Sequence, residues 1–334
     1  MKRIRTYVVL LLSINLFVSS GQVVADEVIS FISREDGTSP IILMNTQGKI
    51  LKKVITAPGK PGNLTWAPDG RSFAYGSRRT GSPDIHVMNI KTNTHRQLTF
   101  HGRRDIWPAW SPNGKWIAFV SDRTGWMSIY RMDVNGENVK KLTNRGDCGR
   151  PAWSPDSQWI AYGLAPDKLI YGLFVMDAEG RKTKKIAENV PHPGCTWSPD
   201  GKQIAFTAWD AEGGINIFSS DVNGRKLRQL TWSALGTIIS QPVWSPSGKW
   251  IAYFLGTKPV GFGVPVDQIY AKGVIRIIDT TAKGEREKSI KATKGLLSGP
   301  SIEWVPEKFF SVSPSTEKQT TLWGRLKQAE NTTK

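Results

Sequence analysis

The sequence predicts an all-β fold, a six-bladed β-propeller of four-stranded antiparallel blades closed by pairing of its N- and C-terminal segments. Three observations predict it. A Trp-small-Pro-turn head recurs with a period in the low forties, the period of a propeller blade. Each full head is followed by an apolar run and two more strand-like runs. The chain opens on a unit lacking its first strand and ends on a head lacking the rest of its unit.

The heads begin at Trp66 (with Ala67, Pro68, Asp69 and Gly70), Trp110, Trp153, Trp197 and Trp244, spaced 44, 43, 44 and 47 residues apart. A degenerate sixth copy, Trp304-Val305-Pro306-Glu307, follows after 60. The Trp110 unit shows how one period makes four strands, a to d from the ring centre outward. Strand a is expected over Pro108–Ser111 and, after the Pro-Asn-Gly turn, strand b over Trp116–Val120. Asp122 to Gly125 reads as a hairpin turn, Ser128–Met132 as strand c, Asn135-Gly136 as a second turn and Val139–Thr143 as strand d. Strand b is apolar at consecutive positions, as a strand covered on both faces must be. Neighbouring blades supply that cover, so the tryptophans read as core. Burying about 200 Å² of side chain at about 25 cal/mol/Å² contributes roughly 5 kcal/mol as an upper bound.

At the start, Val28–Ile32, Ile41–Asn45 and Ile50–Val54 match strands b, c and d. Ser301–Trp304 is the natural source of the missing strand a, and joining the termini in one blade removes the open seam of the ring. Phe309–Ser313 competes as a strand b.

Residues 1–25 read as an export signal: Lys2, Arg3 and Arg5, a 12-residue apolar run from Tyr7 to Val18, then Val23-Val24-Ala25 with small or medium residues at the two positions a signal peptidase inspects. The run is short of the about 20 residues a transmembrane helix needs. The expected division is signal 1–25, propeller 26–313 and a polar tail 314–334 in which Leu322, Trp323 and Leu326 share one helical face. No later apolar run approaches spanning length, so the mature chain is expected to have no transmembrane segment.

The formal charge is +17, and removing the three leader cations leaves +14. Such a surface favours polyanions such as acidic glycans, lipid head groups, nucleic acid or an acidic protein. Two cysteines, Cys148 and Cys195, are too few for a disulfide scaffold; whether they pair is open at this level.

The Trp-Ser-Pro-Asp-Gly head, the Ile-Ala-Phe run and the Ile-Tyr-x-Met-Asp strand resemble the propeller repeats of TolB-type proteins over about residues 28–313. The resemblance implies an exported, periplasmic or secreted protein that binds a partner through a propeller face. The α/β domain that precedes the propeller in TolB is expected to have no counterpart here, since repeat-like sequence begins at Val28. Related repeats also occur beside peptidase domains and in sugar-active enzymes.

Catalytic motifs are sparse. There is no Gly-x-Ser-x-Gly elbow, no His-Glu-x-x-His, no Cys-x-x-Cys and no phosphate-cradling Gly-Lys-Ser/Thr loop. The Asp-Gly and Asn-Gly pairs recur at turn positions and read as hairpin chemistry. Of four histidines, His86 and His95 fall in strands c and d. His101 and His192 fall in loops, where with Asp105 they make a weak metal alternative to solvated side chains. No cofactor is expected.

The d–a and b–c loops share one face of the disk. That face collects Arg78, Arg79, Arg103, Arg104, Asp105, Trp107, Arg123, Arg145, Arg150 and His192. It also carries an insertion over 256–272 with Val260, Phe262, Val264, Val266 and Ile269. The opposite face has its own cations (Arg181, Lys182, Lys184, Lys185, Arg225, Lys226, Arg228). The insertion face is favoured because it mixes arginine with aromatic side chains, as binding hot spots do. The expected contact set is Arg103, Arg104, Asp105, Trp107, Arg150, His192 and Phe262. The leading expectation is a monomeric, non-enzymatic binding module for an envelope protein or acidic ligand; nucleic acid is not favoured. Two alternatives stand beside it: an enzyme acting on acidic polysaccharide through a basic channel, and a polyanion binder with no protein partner.

Overall fold

The computed structural model describes residues 27–33, 40–54, 62–79, 81–166, 171–190, 194–257, 273–281, 287–290 and 297–306. Their strands form six antiparallel sheets arranged as the blades of a propeller. Blade 1 holds β1 (Val28–Ser33), β2 (Ile41–Asn45) and β3 (Ile50–Val54). Blade 2 holds β4 (Gly62–Trp66), β5 (Ser72–Ser77), β6 (Asp84–Asn89) and β7 (Thr94–Gln97). Blade 3 holds β8 (Asp105–Trp110), β9 (Trp116–Ser121), β10 (Ser128–Asp133) and β11 (Lys140–Lys141).

In blade 4 strand a is split into β12 (Asp147–Cys148) and β13 (Ala152–Trp153), both paired with β14 (Trp159–Ala165), and β15 (Tyr171–Asp177) and β16 (Thr183–Val190) follow. Blade 5 is β17 (Cys195–Trp197), β18 (Gln203–Trp209), β19 (Ile215–Asp221) and β20 (Arg228–Gln229). Blade 6 is β21 (Thr237–Trp244), β22 (Trp250–Thr257), β23 (Val274–Asp279) and β24 (Glu287–Ile290). The last strand, β25 (Leu297–Trp304), returns to blade 1 as its strand a.

That return is the expected closure. β25 pairs antiparallel with β1 in the register Ile29 to Trp304, Ser30 to Glu303 and Phe31 to Ile302. Strand a of blade 3 starts earlier than its sequence pattern suggested, at Asp105, and strand d is only Lys140–Lys141, because beyond it Leu142 N–H still donates to Ile129 O at 2.8 Å while the return bond goes to the Thr143 hydroxyl. There Thr143 Oγ1 accepts the Ile129 N–H at 2.9 Å. Thr99 and Thr231 repeat the bond with Ile85 and Ile217. The competing strand Phe309–Ser313, the signal, the tail and the insertion beyond Thr257 lie outside the described residues.

The head folds as a hydroxyl-centred turn. Ser111 Oγ accepts the Trp116 N–H at 2.9 Å and donates to Asn113 Oδ1, whose carbonyl also takes the Lys115 N–H. Ser154 with Asp156 and Ser198 with Asp200 repeat this, which explains the Ser-Pro-Asp pattern. The turn's fourth residue needs a left-handed backbone: Gly114 has φ +74° and Ser157, which replaces glycine in the blade 4 head, has φ +60°. Ser157 Oγ accepts the Asn113 N–H at 3.0 Å, tying the turns of blades 3 and 4 together.

The core is six clusters, one between each pair of neighbouring blades. Strand b is buried throughout: Ile117, Ala118, Phe119 and Val120 are fully inaccessible. The head tryptophans join strands a to one another in two ways. Trp153 and Trp197 donate Nε1–H to the carbonyls of Ala109 and Ala152 at 3.0 Å, and Trp304 to that of Val243 at 2.9 Å. Trp66 reaches the equivalent Glu303 carbonyl through Ser30 Oγ, at 2.8 and 3.0 Å. Where threonine precedes the tryptophan of the earlier blade, the bond changes. The backbone N–H groups of Trp110 and Trp244 then donate to Thr65 Oγ1 and Thr196 Oγ1 at 3.3 and 3.2 Å. Those two indoles are half-buried and the other four are buried. Trp244 Nε1 turns to Gly248 O, and Trp110 Nε1 is buried with no partner.

Candidate functional site

Antiparallel blades put the d–a and b–c loops on one face, and five exposed apolar residues from blades around the ring lie on it. Phe100 and Trp232 are 77% and 73% exposed and hold equivalent places directly after the Leu-Thr that ends strand d. Trp126 and Leu235 lie in loops of the same face, Trp209 ends β18 there, and all three are exposed. None was singled out from the sequence. The readable signal was an aromatic following Leu-Thr, where the strand has ended and no neighbouring blade covers the side chain.

The expected contact residues are placed differently from one another. Arg103 and Arg104 are exposed on this face. Arg104 Nε sits 2.8 Å from Asp122 Oδ2, and its backbone N–H donates to Oδ1 at 2.8 Å. Burial alone would raise the Asp122 carboxyl, but Arg104's hydrogen bonds and charge hold it below the usual carboxylate range. Asp105 is fully buried and takes two bonds from Arg123 Nη2 at 2.9 and 3.0 Å. Arg123 in turn lies over the Tyr130 ring, 4.8 Å from its centroid. Trp107 is half-buried against the cluster between blades 3 and 4, in a left-handed backbone conformation (φ +54°). His192 and Phe262 lie outside the described residues.

Arg150 occupies the ring centre. It falls in the break between β12 and β13, and its Nη2 crosses to Glu303 Oε1 at 2.8 Å and to the Leu64 carbonyl at 3.1 Å. One side chain of blade 4 thereby holds blades 1 and 2. The contact bounds a cavity of about 160 Å³ lined by strands a of all six blades, including Thr65, Ala109, Cys195 and Gln241. Burial pushes the Glu303 carboxyl up to about 7, with Arg150 pulling against it. The Gln241 Oε1 in this wall is buried without a hydrogen-bond partner.

The remaining titratable groups are inward-facing or scattered. His86 stacks on Tyr75, and burial, then Arg79 and His95, lower its pKa. His95 Nδ1 lies 3.1 Å from Tyr75 OH, and His101 is exposed. Cys148 and Cys195 are free thiols, pushed up to about 11 and about 12 by burial. Among the described residues no three His, Cys, Asp or Glu side chains converge as metal ligands do, and no helix is long and apolar enough to cross a membrane.

Comparison with known proteins gives the same architecture. The family model described as the TolB beta propeller domain matches residues 8–148 and 143–289. The chain is similar to the structure of TolB from Acinetobacter baumannii, at 22% identity and a TM-score of 0.66, covering 84% of this chain and 67% of that one. A TolB candidate from Agrobacterium tumefaciens is 17% identical with a TM-score of 0.61, over 82% of this chain and 91% of that one. An oligogalacturonate lyase in complex with manganese is 14% identical with a TM-score of 0.51, over 78% and 72% of the two chains. At these identities the likeness is one of fold. No curated protein matches the chain by sequence.

Proposed function

Because the chain belongs to the TolB β-propeller family, we propose that it acts as an exported, non-enzymatic binding module whose d–a and b–c face receives a protein partner. One observation carries the reading: Phe100, Trp126, Trp209, Trp232 and Leu235 expose apolar surface on the face that also presents Arg103 and Arg104. Isolated exposed apolar residues are ordinary. Four aromatics with arginine on a single face match the composition of protein hot spots. The leader-like residues 1–25 support a site of action outside the cytoplasm.

The test is affinity capture of envelope proteins on the mature chain, comparing wild type with Phe100→Ala/Trp232→Ala and with Arg103→Ala/Arg104→Ala. A captured protein that is lost from the aromatic variant supports the proposal. Equal capture by all three chains would place binding elsewhere. Release of unsaturated products from an acidic polysaccharide by the purified chain would favour the enzymatic reading over both.

A further inference from the structure

The repeat carries an internal comparison at the opposite face, where each blade meets the c–d turn of the next. Between blades 3 and 4 the chain fills this junction with its own guanidinium. Arg131 lies over the Trp116 ring, 4.7 Å from its centroid, and its Nη1 donates to Ala178 O at 2.7 Å and Glu179 Oε1 at 2.6 Å. Trp116 in turn stacks on Trp153, at 5.9 Å and 19°. An indole platform, a carbonyl and an acceptor side chain thus make a seat for arginine, and the chain occupies it.

Between blades 4 and 5 the seat recurs without its occupant. The strand ending Tyr130-Arg131-Met132-Asp133 corresponds to Phe174-Val175-Met176-Asp177, so Val175 stands where Arg131 does. Trp159 takes the place of Trp116, Trp197 that of Trp153, Val222 that of Ala178, and Asn223 that of Glu179, so the acceptor side chain is an amide here. In the position of the missing side chain is a cavity of about 410 Å³, lined by Trp159, Val175, Trp197 and Val222 and rimmed by Asp156 and Asp200. The Trp159 side of it opens to solvent, with that residue 37% exposed.

Charges of both signs border the opening, with Asp156 and Asp200 on its rim and Lys184 in its lining. The Ser198 hydroxyl and the Lys202 N–H hold the Asp200 carboxyl below its ordinary range. Of the two nearby lysines, Lys184 is engaged with Asn223 Oδ1 at 2.8 Å, and Lys202 Nζ lies 3.8 Å from Asp200 Oδ2 on the solvent side.

We propose that the groove between blades 4 and 5 binds an arginine side chain of a partner polypeptide, its guanidinium stacked on Trp159 and directed at the Val222 carbonyl and the aspartate rim. The apolar floor takes the aliphatic stem, and the planar head repeats the indole stacking and the carbonyl contact that Arg131 makes one junction earlier, with the aspartate rim in place of Glu179. The site lies on the face away from the exposed aromatics and does not depend on the function proposed for them.

The test titrates the mature chain with N-acetyl-arginine N-methylamide, reading the indole N–H resonance of Trp159 by NMR, with the citrulline and lysine analogues as controls. A saturable shift is expected with arginine at millimolar concentrations, at least tenfold weaker with lysine and absent with citrulline. Val175→Arg is expected to abolish the titration by filling the seat from within and to raise the melting temperature. Trp159→Ala, at an exposed position, is expected to abolish arginine binding when read on the ligand by saturation transfer, which covers the case in which Val175→Arg does not fold. A citrulline or lysine response equal to that of arginine, or undiminished binding by Trp159→Ala, would overturn the proposal.

Discussion

Trp304 donates its indole N–H to the carbonyl of Val243 at 2.9 Å, so the last strand is tied to the blade before it as well as to β1. The same bond joins Trp153 to Ala109 in mid-ring. Both indoles are buried, and truncating either leaves a large cavity at a blade junction. Trp153→Ala and Trp304→Ala are each expected to lower stability by about 3–5 kcal/mol. Chemical denaturation measures this, and unchanged unfolding in either variant would remove that tryptophan from the core.

The residue before each head tryptophan selects how the next blade attaches. Thr65 draws the backbone N–H of Trp110 and leaves the Trp110 indole without a partner. Thr65→Ala recreates the alanine type of junction, so the indole is expected to turn to the carbonyl of residue 65. Since one bond is exchanged for another, stability should stay within about 1 kcal/mol of wild type. The Trp110 indole proton reports the change by moving downfield and gaining protection from exchange; an unshifted proton would refute the rule.

Gly180 sits in the c–d turn of blade 4 with φ +74°, and a Cβ there would lie 2.6 Å from the Leu142 carbonyl of blade 3. Gly180→Ala therefore strains the backbone and pushes two blades apart. The expected loss is about 2–4 kcal/mol. Gly213, also at positive φ but facing open space, is the control: its alanine variant should lose only about 1–2 kcal/mol.

Hydrogen bonds from Lys140 and then Arg131 hold Glu179 down to about 2. A carboxyl lowered on folding contributes stability above its unfolded pKa of about 4.3 and loses it as the pH falls through the folded value. Wild type should thus lose stability between about pH 4.5 and pH 2 through this group. Glu179→Gln should be less stable at neutral pH and show a shallower fall over that window. Parallel melting-temperature profiles for the two chains would contradict the assignment.

Most of the ring was legible because it is periodic. The heads, the three opening strands and the returning Trp304 strand follow from residues spaced one blade apart. Contacts that break the period were not legible. Arg150 lies 153 residues from Glu303, and nothing local in Gly149-Arg150-Pro151 announces a side chain crossing the ring. Asp105 and Arg104 are adjacent, yet one is fully buried on Arg123 and the other exposed, because the strand starts between them. Exposure of Phe100 and Trp232 was signalled only by their place after Leu-Thr, where the strand has ended, while the head tryptophans of the same repeat are buried or half-buried.

Ser30 touches the carbonyl of Glu303, 273 residues later in the chain. A polypeptide emerging N-terminus first would therefore display β1 with a vacant inner edge until β25 arrives. Its early blades assemble against a neighbour that is still one strand short. Truncation ahead of Leu297 removes the clasp and leaves every blade's own sequence intact, so such fragments should retain β-structure while exposing an adhesive strand edge.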